Sequence, residues 1–132
     1  GLIGMVVGMA ITVSVQSSSI TTSLLVPLCA SGILTLQNAY PITLGANIGT
    51  TVTALLASMA ADSPLGLTVA LVHLLFNLSG TLVFYPVPTL RNIPLRGARR
   101  LALLAANNKL WLLVYVVVAF VLLPGVGILL FE

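Results

Sequence analysis

Gln16-Ser17-Ser18-Ser19-Ile20-Thr21-Thr22-Ser23 carries seven polar side chains in eight, none of them charged, and it is set between two apolar runs. Residues 2–15 precede it and residues 24–34, interrupted by Pro27, follow it. As a helix the first run reaches roughly 21 Å at about 1.5 Å per residue, short of the about 30 Å of a bilayer's hydrocarbon core. Two short helices meeting at a polar tip, a re-entrant hairpin over residues 2–34, account for both the length and the polarity. A single kinked span is the competing reading. Gly4 and Gly8 form a small-xxx-small pair of the kind that lets helices approach closely.

The surroundings of this stretch demand a membrane. Of 132 residues, 59% are apolar and 5% charged, with a mean hydropathy of +1.20. Soluble domains carry about 25% charged residues, so lipid must be the main solvent. The acids are Asp62 and Glu132. All the bases, Arg91, Arg96, Arg99, Arg100 and Lys109, fall in one stretch. The basic pI therefore reports one loop and not a nucleic-acid surface. Cys29 is the sole cysteine and reads as a small packing residue. The chain opens inside a hydrophobic run with no methionine and no basic leader, and is expected to be part of a longer protein.

Further along, Gln37-Asn38-Ala39-Tyr40-Pro41 reads as a turn, with Pro41 opening a helix over 42–61. Gly45, Asn47 and Gly49 predict an unwound middle in that helix, tolerated at membrane depth only against protein or a wet cavity. Asp62 or Ser63 is placed to cap the next span, 65–85, which ends at the interfacial Tyr85. Residues 86–109 form a proline-rich basic loop, with a short interfacial helix over 97–106. A last span covers 110–131. The positive-inside rule places the 86–109 loop in the cytoplasm and Asp62 and Glu132 outside. The expected fold class is thus all-α integral membrane: a re-entrant hairpin, a broken transmembrane helix and two further spans, in one unit over 1–132.

Two polar breaks carry the chemistry. A helix starting near Ser19 aims free N–H groups and a positive dipole end at a ligand, which makes an anion site without a cation. Hydroxyl and amide oxygens are also hard ligands for small cations. In Gly45-Ala46-Asn47-Ile48-Gly49-Thr50-Thr51-Val52-Thr53, unwinding frees carbonyls for a cation, and Thr50 or Thr51 caps the restarted half-helix and points N–H groups at an anion. His73, Asn77 and Thr81 share one helix face and should look into the bundle, where interhelical hydrogen bonding suffices to explain them. An enzyme is not indicated. The serines lack a base, and no metal cluster, phosphate loop or nucleotide fingerprint is present. No cofactor is implied.

Gln16-Ser17-Ser18-Ser19 resembles the QSSS motif of the type II sodium–phosphate cotransporter family, and Gly45 to Thr51 resembles that family's second motif. The stretch from His73 to Arg96, with Phe76-Asn77-Leu78-Ser79-Gly80, Tyr85-Pro86-Val87-Pro88 and Ile93-Pro94-Leu95-Arg96, resembles the region after it. The resemblance implies one half of an inverted-repeat transporter, the C-terminal repeat, paired with an N-terminal repeat or a second copy of the chain in a cell membrane. It implies phosphate binding by Ser17, Ser18 and Ser19, to which Thr51 is added as a cap, and sodium binding by Gln16, Asn47, Thr50 and Thr53, with Ser17 a further hydroxyl ligand. Ala46 and Val52 stand where the family can have a hydroxyl. The function so implied is sodium-coupled symport of inorganic phosphate, with sodium as co-substrate. A non-transporting structural or regulatory membrane module, and a transporter of another oxyanion, remain the alternatives.

Overall fold

Capping chemistry sets the first boundaries. In the computed structural model, which describes residues 1–131, α1 (Leu2–Val15) ends where Gln16 turns left-handed at φ 56°, ψ 28°. That conformation costs a non-glycine residue roughly 1–2 kcal/mol. Ser17, in extended conformation, then opens α2 (Ser18–Ala30) by accepting the Ile20 N–H on Oγ at 3.3 Å. Gly32, at φ 76°, turns the chain after α2, and Thr35 caps α3 (Leu36–Ala60) through the Asn38 N–H at 3.3 Å. Between Asp62 and Ser63 it is Ser63 that caps α4 (Pro64–Phe84), accepting from Gly66 N–H at 3.2 Å, while Asp62 adopts φ 47°. α5 (Pro88–Asn107), α6 (Leu110–Val117), a π-helical turn (Val118–Leu122) and α7 (Leu123–Phe131) complete the chain. Glu132, expected on the outer side, lies outside the described residues. Two units divide the chain, Gly1–Arg91 and the part from Asn92 on.

Three sequence expectations are corrected. Residues 37–41 are not a turn: α3 begins at Leu36 and carries Pro41 within it. Nor is its middle unwound, because α3 runs unbroken to Ala60. The threonines expected to cap a restart instead donate back to their own helix: Thr50 Oγ1 to Ala46 O at 3.1 Å, Thr51 Oγ1 to Ile48 O at 2.6 Å and Thr53 Oγ1 to Thr50 O at 2.8 Å. The 86–109 loop is largely helix, α5, which includes 97–106 and tolerates Pro94. Around α5, Leu90, Ile93, Gly97, Leu101 and Leu104 recur along one side, Arg99 lies on the opposite side, and Arg96 and Arg100 fall at the edge of the apolar stripe, so leucines and arginines are only partly segregated. In the last span, the Leu123 N–H reaches back to Val118 O, five residues away. This wide turn lies just before Pro124, whose ring lacks an N–H and would crowd the carbonyl of residue 120 in a regular helix.

Within the first unit the buried positions are small: Gly8, Thr12, Thr21, Ala39, Pro41, Gly45, Ala46, Gly49, Thr51, Ser58 and Ala70. The large apolar side chains, among them Leu65, Val69, Leu75, Phe76 and Leu82, are exposed. That inversion suits a lipid solvent, where helices associate by backbone approach and not by burying leucine. Gly8 sits against the Ile42 carbonyl and Gly45 against that of Met5, too close for a Cβ on either. A Cβ on Gly49 would lie 2.9 Å from Met9 O. The glycines of α3 therefore serve packing, not unwinding. These pairings run in register, so α1 lies parallel to α3. α4 runs antiparallel to α3, with Asn77 Nδ2 donating to Asn47 O at 3.3 Å. Three stretches are long and apolar enough to cross a bilayer: Leu36–Ala60, Pro64–Phe84 and Leu110–Leu130. The chain is multi-pass by that measure.

Candidate functional site

The parallel register of α1 and α3 decides where the polar tip lies. Met5 meets Gly45, Met9 meets Gly49, and Gln16 arrives level with Thr50 and Thr53, past the middle of a helix that spans residues 36–60. Behind the tip, Thr12 and Thr21, each 1% exposed, join hydroxyl to hydroxyl at 2.8 Å. Thr21 Oγ1 also donates to Ser17 O at 3.1 Å, so Thr12 supplies the proton of the shared bond. Each hydroxyl is thereby satisfied where burial would otherwise cost energy. α2 and α3 are separated by residues 31–35, at most about 20 Å of extended chain, so α2 must end near the start of α3.

Two recesses flank the tip. The first, an open groove of about 550 Å³, is lined by Gln16, Thr50 and Thr53 with Val13, Ala54 and Ala57. Its polar groups are two hydroxyls and one amide. The Thr50 and Thr53 protons are committed to backbone carbonyls, which leaves hydroxyl lone pairs as the available function. With its amide oxygen turned inward, Gln16 can complete an uncharged, hard-oxygen lining of the sort that ligates a small cation. The second recess, of about 250 Å³, is lined by Ser18, Asn47, Thr50, His73 and Asn77. Every one of these side chains is polar, and three carry N–H donors. At its edge α2 begins, with the Ser18 and Ser19 N–H groups ahead of the first helical bonds. Thr50 borders both recesses. Among the described residues, no cluster of His, Cys, Asp and Glu could hold a metal ion.

Residues 1–90 match the Na+/Pi-cotransporter family. The chain belongs to that family. It is 44% identical over 128 residues to sodium-dependent phosphate transport protein 2A of Oryctolagus cuniculus, covering 95% of this chain and 20% of that protein. Against protein 2B of Homo sapiens it is 42% identical over 127 residues, covering 94% of the chain and 18% of the relative. Against protein 2C of Mus musculus the identity is 43% over 127 residues, covering 94% and 21%. The chain thus spans about a fifth of the length of the relatives it matches. No solved structure matches it.

For this member of the Na+/Pi-cotransporter family, the residues singled out from sequence separate. Of the set expected to bind sodium, Gln16, Thr50 and Thr53 come together in the groove. Asn47 lines the other recess, with Ser18. Ser17 serves as the α2 cap. Of the set expected to bind phosphate, Ser18 alone lines the donor recess. Ser19 is exposed, and Thr51 is fully buried with its hydroxyl on Ile48 O. His73 and Asn77, read from sequence only as bundle-facing, are recess residues. Their spacing of four placed them on one face; nothing in the spacing named Asn47 as what that face meets.

Proposed function

We propose that the protein is a sodium-coupled symporter of inorganic phosphate, and that this chain is one re-entrant repeat supplying half of its ion sites. The carrying observation is the pairing of an oxygen-lined groove with a donor-lined recess that share Thr50. Sodium occupies the groove on Gln16, Thr50 and Thr53. Phosphate occupies the recess on Ser18, aided by the N–H groups that open α2. No cation side chain lines either recess, so hydroxyls and N–H groups alone would hold a multiply charged anion poorly. Bound sodium supplies the missing positive charge. By linkage, each ion then raises the affinity for the other.

The hairpin α1–α2 enters and leaves from one side of a cell membrane, its tip at the depth of Thr50. The arginine-bearing α5 rests on the cytoplasmic face. The partner is an inverted repeat of the same protein or a second copy of the chain, and rocking of one repeat against the other gives alternating access. In cells expressing the protein in its natural reading frame, labelled phosphate accumulates with sodium outside and stops when choline replaces it. Arsenate competes and sulfate does not. Uptake indifferent to choline replacement rules the reading out.

A further inference from the structure

We infer that α4 is part of the anion site: His73 donates an imidazole N–H to the bound oxyanion, and Asn77 holds the facing helix while offering its second amide proton. This rests on the phosphate reading above, and it adds to that reading two residues that the polar breaks do not contain.

The argument starts from the lining of the 250 Å³ recess. Ser18 comes from the start of α2, Asn47 and Thr50 from the middle of α3, and His73 and Asn77 from one face of α4. Three elements far apart in sequence thus converge on one cavity lined by polar side chains alone. Asn47, His73 and Asn77 each carry N–H donors, and Ser18 carries a hydroxyl. No carboxylate is among them. Asp62, the one acid among the described residues, lines a different recess with Ser58, Ser63 and Pro64. Three N–H-bearing side chains, no carboxylate and the unbonded N–H groups at the start of α2 together give this pocket the donors an oxyanion requires, with Thr50 presenting only lone pairs.

Helix cohesion does not account for His73. The interhelical bond on this face is made by Asn77, whose Nδ2 donates to Asn47 O at 3.3 Å. That bond uses one of the two amide protons and leaves the other for a ligand. His73 lies one turn earlier on the same face, and it is the only histidine of the chain. Polar side chains at membrane depth are costly and mark ligand paths. Here the costly residue opens onto the recess that also holds Ser18. A tetrahedral oxyanion needs donors from several directions, and the α2 N–H groups supply only one. The α4 face supplies another.

The experiment compares three forms of the protein in its natural reading frame: wild type, His73→Leu and His73→Gln. Leucine removes the donor at similar bulk, and glutamine keeps an N–H. The expected result is a phosphate KM about tenfold higher for His73→Leu, with the maximal rate at saturating phosphate little changed. His73→Gln recovers most of the loss. Half-saturation for sodium, measured at saturating phosphate, stays at the wild-type value. Equal phosphate KM in wild type and His73→Leu overturns the inference. A wild type that does not transport phosphate at all overturns the function proposed above instead.

If His73→Leu fails to reach the membrane, footprinting of wild type decides. Carbethoxylation of His73, followed by peptide mass spectrometry, slows with sodium and phosphate together if the imidazole touches the anion. A rate unaffected by phosphate at any sodium concentration refutes the contact.

Discussion

At the scale of single residues, the proposed division between a sodium groove and a phosphate recess rests on where each proton goes. Thr53 donates its only hydroxyl proton to Thr50 O at 2.8 Å, so toward the groove it acts as an acceptor. Ser18 lines the recess beside N–H donors. Substituting each gives a contrast. Thr53→Val keeps the branched shape and removes the lone pairs; the sodium concentration for half-maximal uptake is expected to rise several-fold, with little change in phosphate KM at saturating sodium. Ser18→Ala is expected to raise phosphate KM or abolish uptake while surface biotinylation stays at the wild-type level. Measured in parallel, identical effects on both ions from both variants would show that the two recesses are not chemically distinct. The serine run was legible in the sequence because seven polar residues in eight stand out in an apolar chain. That Ser18 and not Ser19 shares a recess with Asn47 was not legible, since neighbouring helical residues point about 100° apart and only the docking of α2 selects one.

The helices show how one residue type served a purpose other than the expected one. Gly45 and Gly49 looked like points of unwinding, yet α3 is continuous and these glycines receive the backbone of α1. Composition cannot separate the two uses, because both require the absence of a Cβ. Gly80 has nothing within 4 Å of the position its Cβ would take. Gly45→Ala is therefore expected to destabilise by about 1–3 kcal/mol, the usual cost of overpacking. Gly80→Ala is expected to be neutral or to stabilise by about 0.5–1 kcal/mol through helix propensity. Thermal unfolding in detergent, followed by tryptophan fluorescence or size exclusion, checks the pair. A tolerated Gly45→Ala would mean that α1 and α3 are not in backbone contact. α5 was only partly legible, since Pro86, Pro88 and Pro94 argue for a loop while its apolar stripe argues for a helix. Pro88, at the first helical position, is tolerated because the first N–H groups lack partners anyway, whereas Pro94 lies inside the helix and removes one of its backbone bonds.

For the molecule as a whole, the tip's depth is the decisive quantity. α1 is 14 residues long and α3 is 25, and their parallel packing carries Gln16 to the level of Thr50 and Thr53 and no further. In the proposed re-entrant arrangement, a polar tip at that depth needs a facing surface that keeps lipid away. Both recesses are open on their outer side in this chain, as half-sites awaiting a partner repeat would be. The 132-residue chain expressed alone is accordingly expected to insert in membranes without driving sodium-dependent phosphate uptake. Co-expression with the complementary repeat is expected to restore it. Uptake by the isolated chain, at a rate independent of its self-association, would contradict the half-site reading.

Sequence alone determined the solvent, the class and the family. Lipid as the environment follows from seven charged side chains in 132 residues, and membership in the cotransporter family from motifs that survive as local patterns. The positions of Gln16, Ser18, Asn47, Thr50 and Thr53 as polar interruptions were equally local. Tertiary structure decided which of them share a cavity, why α3 stays helical, and that His73 and Asn77 join Ser18. The reason is physical. Helix faces, capping and hydropathy are properties of residues a few positions apart, whereas the recesses exist only where α1, α2 and α4 dock on α3. That docking is set by close backbone contacts at Gly8 and Gly45 whose partners no local pattern names.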